Sequence, residues 1–289
     1  MMASDTTPAI TFAHLTDAGM ARARNEDWLG AFEPGDPRLL RRRGRLFVVA
    51  DGMGGHARGD VASRLAVDAV RAAYYDDGLP DELPQRLGLS VERANDVLYG
   101  KNGGSLDEAR MGTTLTALVI RDGEAFIAHV GDSRAYLIRR REIRQLTEDH
   151  SLVSELVRQG VLTPAEAEHH PSAHVVVRAV GTSHAVPVAL YGPLPLLGGD
   201  TLVLCTDGLS RLVAPGEIRR VAGGRAPRLA CQRLVTLANR RGGPDNITLQ
   251  VIRIGRRHDP VASVADTLAV LADAARRWRP WAKASGPAA

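Results

Sequence analysis

Between Met111 and Arg140 the apolar residues alternate with a period of two through three successive runs. These are "TTLTALVI", "EAFIAHV" and "RAYLIRR", separated only by "RDG" and "GDS". Alternation of this kind specifies strands, and gaps this short join only antiparallel neighbours, because a parallel crossover needs a dozen residues or more. The pattern predicts antiparallel hairpins in the middle of the chain. "ITFAHLTDAG", Leu46 to Ala50, "TLVLCTDG" and "NITLQVIRI" read as further strands. Helical periodicity comes in pairs: Asp60 to Tyr75 with "QRLGLSVERANDVLYG", and "PGEIRRVA" with "PRLACQRLVTLANRRG". "DHSLVSELVRQGVLTPAEAEHH" reads as two helical pieces split at Gly160, the second capped by Thr163 ahead of Pro164. "EPGDPRLLRRRGR" and "DDGLPDELP" read as loops. Paired helices between groups of strands do not make a regular βαβ alternation. The expected fold class is therefore α+β, with antiparallel β-sheets covered by helices.

A chain of 289 residues with 44% hydrophobic content buries a sizeable core. It has no apolar run of membrane-spanning length and no basic segment followed by an apolar one at its start, so the expected location is the cytoplasm. The net charge is +4, and Lys101 and Lys283 are the only lysines. Aromatic residues are 4%, which leaves few stacking platforms for nucleic acid, and the clusters Arg41–Arg43 and Arg139–Arg141 read as solvated loops. Cys205 and Cys231 have no C-x-x-C spacing, and Cys205 in its apolar run reads as a buried structural thiol. Residues 1–8 read as a disordered N-terminus. Residues 255–289 read as a tail, in which "VADTLAVLADAARRWRPWA" has the pattern of one amphipathic helix.

Five short stretches share one local design, an aspartate at a strand edge followed by a turn. They are Asn25-Glu26-Asp27, Asp51-Gly52, Thr206-Asp207-Gly208, Pro244-Asp245-Asn246 and, within a hairpin, Gly131-Asp132-Ser133. Each alone is an ordinary turn. Gathered on one rim, the carboxylates would repel one another unless something neutralised them. Hard divalent cations do so with all-oxygen ligands, and no histidine or cysteine pairs stand at zinc spacing, which favours Mg²⁺ or Mn²⁺. The same Gly52–Ala57 turn also fits G-x-G-x-x-G/A, the dinucleotide-binding fingerprint. That alternative requires a second strand ending in an acid after the helix. "DDGLPDELP" supplies acids without a strand, and Asp51 would repel a pyrophosphate.

Taken in order, "RARNED", "VVADGMGGHARGDVAS", "MGTTLTALVI", "HVGDSRAYLIR", "LTEDHS", "CTDGLS" and "GGPDNITL" resemble the motifs of the protein phosphatase 2C family, the metal-dependent Ser/Thr phosphatases, in their bacterial form. The resemblance runs from about Ile10 to Ile254. It implies a catalytic domain over 9–254 built as an α-β-β-α sandwich of two packed antiparallel sheets, with a flap subdomain at about 150–181. It implies two Mn²⁺ or Mg²⁺ ions and hydrolysis of phosphoserine and phosphothreonine by a metal-bridging hydroxide. Carried over by position, Asp51 bridges the ions and Gly52 offers its carbonyl. Asp207 and Asp245 bind the first ion, and Asp27 helps hold the second, with Glu26 and Asn246 beside these ligands. Arg22 meets the substrate phosphate. Asp132 matches the acid that binds a third ion in bacterial members. Implied partners are phosphoproteins, including a cognate Ser/Thr kinase and its substrates, acted on by a monomer that binds no nucleic acid. Met53 stands where some members carry a histidine, His174 where bacterial members usually carry asparagine, and His56 reads as a helix-start residue. A non-catalytic phosphoprotein-binding module on the same fold would be expected to have lost metal acids, and none is lost.

Overall fold

The computed structural model describes residues 9–53, 58–103 and 110–255. The expected N-terminal 1–8 segment, His56 and the helix expected within the 255–289 tail lie outside them.

The chain begins with β1 (Ile10–Asp17), β2 (Asp27–Phe32), α1 (Pro37–Arg43), β3 (Arg45–Met53), α2 (Gly59–Tyr75) and α3 (Leu83–Lys101). The central strands are β4 (Gly112–Thr113), β5 (Leu115–Arg121), β6 (Glu124–Val130), β7 (Arg134–Arg139) and β8 (Glu142–Gln145). After α4 (Leu152–Arg158) and α5 (Pro164–Glu168) come β9 (Ala189–Pro195) and β10 (Thr201–Cys205). The described chain ends with α6 (Asp207–Ser210), α7 (Pro215–Ala222), α8 (Pro227–Arg240) and β11 (Ile247–Ile254). One sheet has the order β1-β11-β10-β7-β8 and the other β2-β3-β5-β6-β9, with β4 paired to β3. Every strand pairing is antiparallel.

Alternation along the strands sets the layers. In β3, Leu46, Val48 and Ala50 pack with Ala62, Ala66 and Val70 of α2 and Leu87, Val91 and Leu98 of α3. The intervening Phe47 and Val49 join Leu118, Leu137, Leu202 and Ile252 in a core between the two sheets. In β10 and β11, Val203, Cys205, Leu249 and Val251 face Ile218 of α7 and Leu234 and Ala238 of α8. The result is the expected α-β-β-α sandwich, its layers dictated by side chains pointing alternately to opposite faces. Both thiols are buried, as expected. Among the described residues no helix is long and apolar enough to cross a membrane.

Two local readings need correction. The "RDG" turn does close a hairpin between β5 and β6, with Asp122 and Gly123 both at positive φ. The "GDS" turn does not close one: β7 pairs with β8 and β10 in the other sheet, so Gly131-Asp132-Ser133 carries the chain from one sheet to the other. Gly131 permits this with φ +110, at a place where an added Cβ would fall 2.5 Å from the Thr114 side chain. The supposed loop at 33–45 holds a helix, α1. Asp36 caps it by accepting from the Arg38 N–H at 2.8 Å, Pro37 supplies its first turn, and Arg41, Arg42 and Arg43 lie in its last. The dinucleotide alternative fails on topology, because α2 runs on to α3 rather than to a strand, and β3 is antiparallel to β2 and β5.

Candidate metal centre

The acids gather where the two sheets open at one end of the sandwich. Asp27 begins β2 and is the direct cross-strand partner of Asp51 in β3. Asp51 continues the parity of Phe47 and Val49, so both carboxylates fall on the side facing the other sheet. From that other sheet Thr206, just past β10, donates its hydroxyl to Asp27 Oδ2 at 2.8 Å. Asp207 follows and opens α6. Asp132, on the turn between the sheets, is buried and accepts from Arg211 Nη2 at 3.2 Å, and the same nitrogen forms an ion pair with Asp207.

Backbone contacts fix the remaining residues around this group. Asn246 Oδ1 accepts from the Glu26 N–H at 2.8 Å, and its amide donates to Ala18 O and Arg24 O at 3.0 and 2.9 Å. One side chain thus fastens the Arg22–Asp27 loop to the turn that carries Asp245. Asp245 accepts from Arg22 Nη2 at 2.9 Å. The Gly52 N–H donates to Glu26 O, and the Ser63 hydroxyl of α2 donates to the same oxygen at 2.6 Å. A Cβ on Gly52 would lie 2.0 Å from Gly59 O and 2.5 Å from Glu26 O, so only glycine fits. Asp51 is anchored by its backbone: its N–H donates to Thr114 Oγ1, and its carbonyl accepts from the Thr113 hydroxyl.

The electrostatics are those of a site short of positive charge. Burial, followed by the neighbouring Asp207 and Asp245, raises the Asp27 carboxyl to about 7, with the Thr248 and Thr206 hydroxyls offsetting part of the rise. Burial raises Asp51 well above the usual carboxylate range, and Asp27, Asp207 and Asp132 add to it. Asp132 is pushed up to about 7 by burial and Asp207, against the pull of Arg211. Asp27 Oδ1 and Asp207 Oδ1 are buried with no hydrogen-bond partner. Among the described residues no group of three or more His, Cys, Asp or Glu side chains is set as a ready cage for an ion. Arg22 and Arg211 instead engage Asp245, Asp132 and Asp207 as ion pairs. The donor set nevertheless fits a hard divalent cation: all oxygen, crowded, and with two buried oxygens lacking any donor.

Asp27, Asp51, Asp132, Asp207, Asp245, Arg22, Glu26, Gly52 and Asn246 all fall in this one neighbourhood. Sequence reasoning missed Ser63, Thr113, Thr114, Thr206 and Arg211. Thr206 was visible as the residue before a strand-end acid, and Arg211 as a base four residues after Asp207, the spacing of a helical ion pair.

Residues 39–239 match the family described as Protein phosphatase 2C. Protein phosphatase PhpP of Streptococcus pneumoniae is 38% identical over 245 residues, which span 82% of this chain and 95% of PhpP. The chain belongs to the protein phosphatase 2C family. The crystal structure of the Mycobacterium tuberculosis serine/threonine phosphatase PstP/Ppp superposes with a TM-score of 0.75 at 36% identity, covering 86% of this chain and 99% of that one. The PstP catalytic domain in complex with two manganese ions superposes with a TM-score of 0.71 at 34% identity, covering 85% and 98%. In this phosphatase 2C family member the acids therefore stand on a scaffold shared with enzymes of known structure.

Proposed function

We propose that this protein is a Mn²⁺- or Mg²⁺-dependent protein serine/threonine phosphatase, with Asp51, Asp207, Asp245, Asp27 and the Gly52 carbonyl holding two ions. The observation that carries the reading is the crowding of Asp27, Asp51 and Asp207 at the mouth between the sheets, with two buried oxygens lacking any donor. The likeness to PstP, whose catalytic domain is described with two manganese ions, supports it.

When bound, such ions supply Lewis acidity toward water and phosphoryl oxygens and offset charge that develops in an in-line displacement. The chain's own groups do the rest. Arg22 stands half-exposed at the rim, and only its Nη2 is engaged by Asp245. The remaining donors of its planar fork are placed to pair with an incoming phosphate. Thr206 orients Asp27, and Asn246 holds the loops of Arg22 and Asp245 together. Neither cysteine serves as a nucleophile: burial pushes the Cys205 thiol up to about 12 and Cys231 to about 11. Direct attack by water, without a phosphoenzyme, is the route the site supports.

The segment from about 150 to 181, with α4 and α5, is the flap of this reading. It is fastened to the body by the bridge between Thr113 and Val180, and the bridge between Ser151 and Val176 closes it on itself. The substrates are phosphoproteins, including a Ser/Thr kinase, met in the cytoplasm by a monomeric enzyme. A phosphothreonine peptide tests the activity: phosphate release is expected with Mn²⁺ and none with EDTA. Release undiminished by EDTA overturns the proposal.

A further inference from the structure

We propose that Arg211 is a resident cation occupying the position between Asp132 and Asp207 that a third metal ion would otherwise take. The inference rests on the phosphatase reading and concerns how many ions this chain binds.

A single nitrogen, Arg211 Nη2, lies 2.7 Å from Asp207 Oδ2 and 3.2 Å from Asp132 Oδ2. The two carboxylates are buried, with side chains 7% and 12% exposed, whereas the Arg211 side chain is 40% exposed. The guanidinium therefore covers the pair from the solvent side. Its placement is built into the local fold. Asp207 opens α6, Arg211 caps it, and the Arg211 N–H donates to Asp207 O at 2.9 Å. The i,i+4 spacing then sets the head group over its own helix start.

A divalent ion shared by Asp132 and Asp207 would need their oxygens within roughly 2.0–2.6 Å of it. The Arg211 nitrogen already stands between the oxygens such an ion would bind. Charge points the same way. Two divalent ions together with Arg22 and Arg211 balance Glu26, Asp27, Asp51, Asp132, Asp207 and Asp245, and a third ion would leave the site in excess positive charge. Arginine does not give up its proton at any working pH, so this cation is permanent.

Mn²⁺ titration by calorimetry, with equilibrium dialysis to count bound ions, tests the proposal on the full chain. Wild type is expected to take up two Mn²⁺, Arg211→Ala three, and Arg211→Ala with Asp132→Asn two again. Arg211→Gln, which removes the charge but keeps more of the side chain than alanine, should likewise gain one ion and guards against a folding defect in the alanine variant. Three ions on wild type overturn the inference alone, as do folded Arg211 variants that still bind two. No Mn²⁺ on wild type overturns the metal-dependent reading and the inference together.

Discussion

Asp27 and Asp51 are direct partners across the β2–β3 ladder, so two carboxylates share one face of the sheet at the same height. Like charges set opposite one another weaken a sheet, and burial compounds the effect. The chain offers little relief. One oxygen of Asp27 takes a hydroxyl from Thr206, while its other oxygen and one of Asp207 have no donor. Setting two acids opposite one another on adjacent strands at the mouth of the sandwich creates a standing demand for positive charge, and most of the following expectations derive from it.

Replacing Asp51 with Asn removes the charge that burial and three neighbouring aspartates disfavour. In EDTA the Asp51→Asn protein should be more stable than wild type by roughly 1–3 kcal/mol, the scale of an unsatisfied buried polar group. Its phosphatase activity should fall by more than the ~10–100-fold typical of a lost outer-shell partner. Thermal denaturation in EDTA and turnover of a phosphothreonine peptide measure the two effects. A variant destabilised in EDTA would show that Asp51 is not under repulsion.

Burial, with the same repulsion added to it, fixes a pH dependence. Asp27 and Asp132 are raised to about 7 in the folded protein, against roughly 3.9 in an unfolded chain. Between those values the folded state holds protons that the unfolded state releases. The linked stability is complete below about pH 4 and is lost as pH rises through about 7. Metal-free protein should therefore melt at a lower temperature at about pH 8 than at about pH 5, by on the order of 1 kcal/mol or more per group. Mn²⁺ takes over from the protons, so its stabilising effect should be larger at the higher pH. Melting curves in EDTA and in Mn²⁺ at both pH values decide the matter, and a larger metal effect at the lower pH would contradict it.

Thr206 joins the sheets through Asp27. Its Oγ1 donates to Asp27 Oδ2 at 2.8 Å and accepts from the Thr248 N–H at 3.0 Å. Valine keeps the shape and removes both bonds. Thr206→Val should stay folded and bind Mn²⁺ ~10–100-fold more weakly, as expected when the partner that orients a ligand is lost. Calorimetric titration gives the constant, and unchanged affinity would mean that Asp27 needs no orientation from Thr206.

The layers of this fold were legible because they follow from period-two alternation, as Phe47 and Val49 alternate with Leu46, Val48 and Ala50. The acids were legible because each stands at a strand end beside a turn. What escaped was set by tertiary context. The Pro-Gly-Arg composition of 33–45 hid α1, whose signal was the single cap Asp36 ahead of Pro37. The "GDS" turn looks like a hairpin locally, and only the pairing of β7 with β10 shows that it crosses between sheets. The hydroxyls of Ser63, Thr113 and Thr206 act across long sequence separations that no local pattern encodes.

Gly52 was expected at the site for its carbonyl, and its surroundings add a steric reason. A Cβ there would meet the backbone oxygens of Gly59 and Glu26 at 2.0 and 2.5 Å. These belong to the start of α2 and to the Arg22–Asp27 loop, so accommodating even one methyl group means parting two elements of the site. Gly52→Ala should cost roughly 3 kcal/mol or more, at the upper end of overpacking penalties, and weaken Mn²⁺ binding with it. Chemical denaturation and metal titration on the same samples check this. An alanine variant of wild-type stability would show that the approach can relax.

Arg22 separates phosphate binding from metal binding. Its Nη2 rests on Asp245 at 2.9 Å, and its side chain is 52% exposed, open to an incoming phosphate. Arg22→Lys keeps the charge but loses the planar fork. It should lower kcat/KM roughly 10–100-fold, the equivalent of one charge-assisted hydrogen bond, chiefly through a higher KM. Mn²⁺ affinity should stay near wild type, because the lysine still neutralises Asp245. Steady-state kinetics on a phosphothreonine peptide beside a Mn²⁺ titration separate the two effects. A variant that loses metal and keeps its KM would make Arg22 a support for Asp245 rather than a contact for substrate.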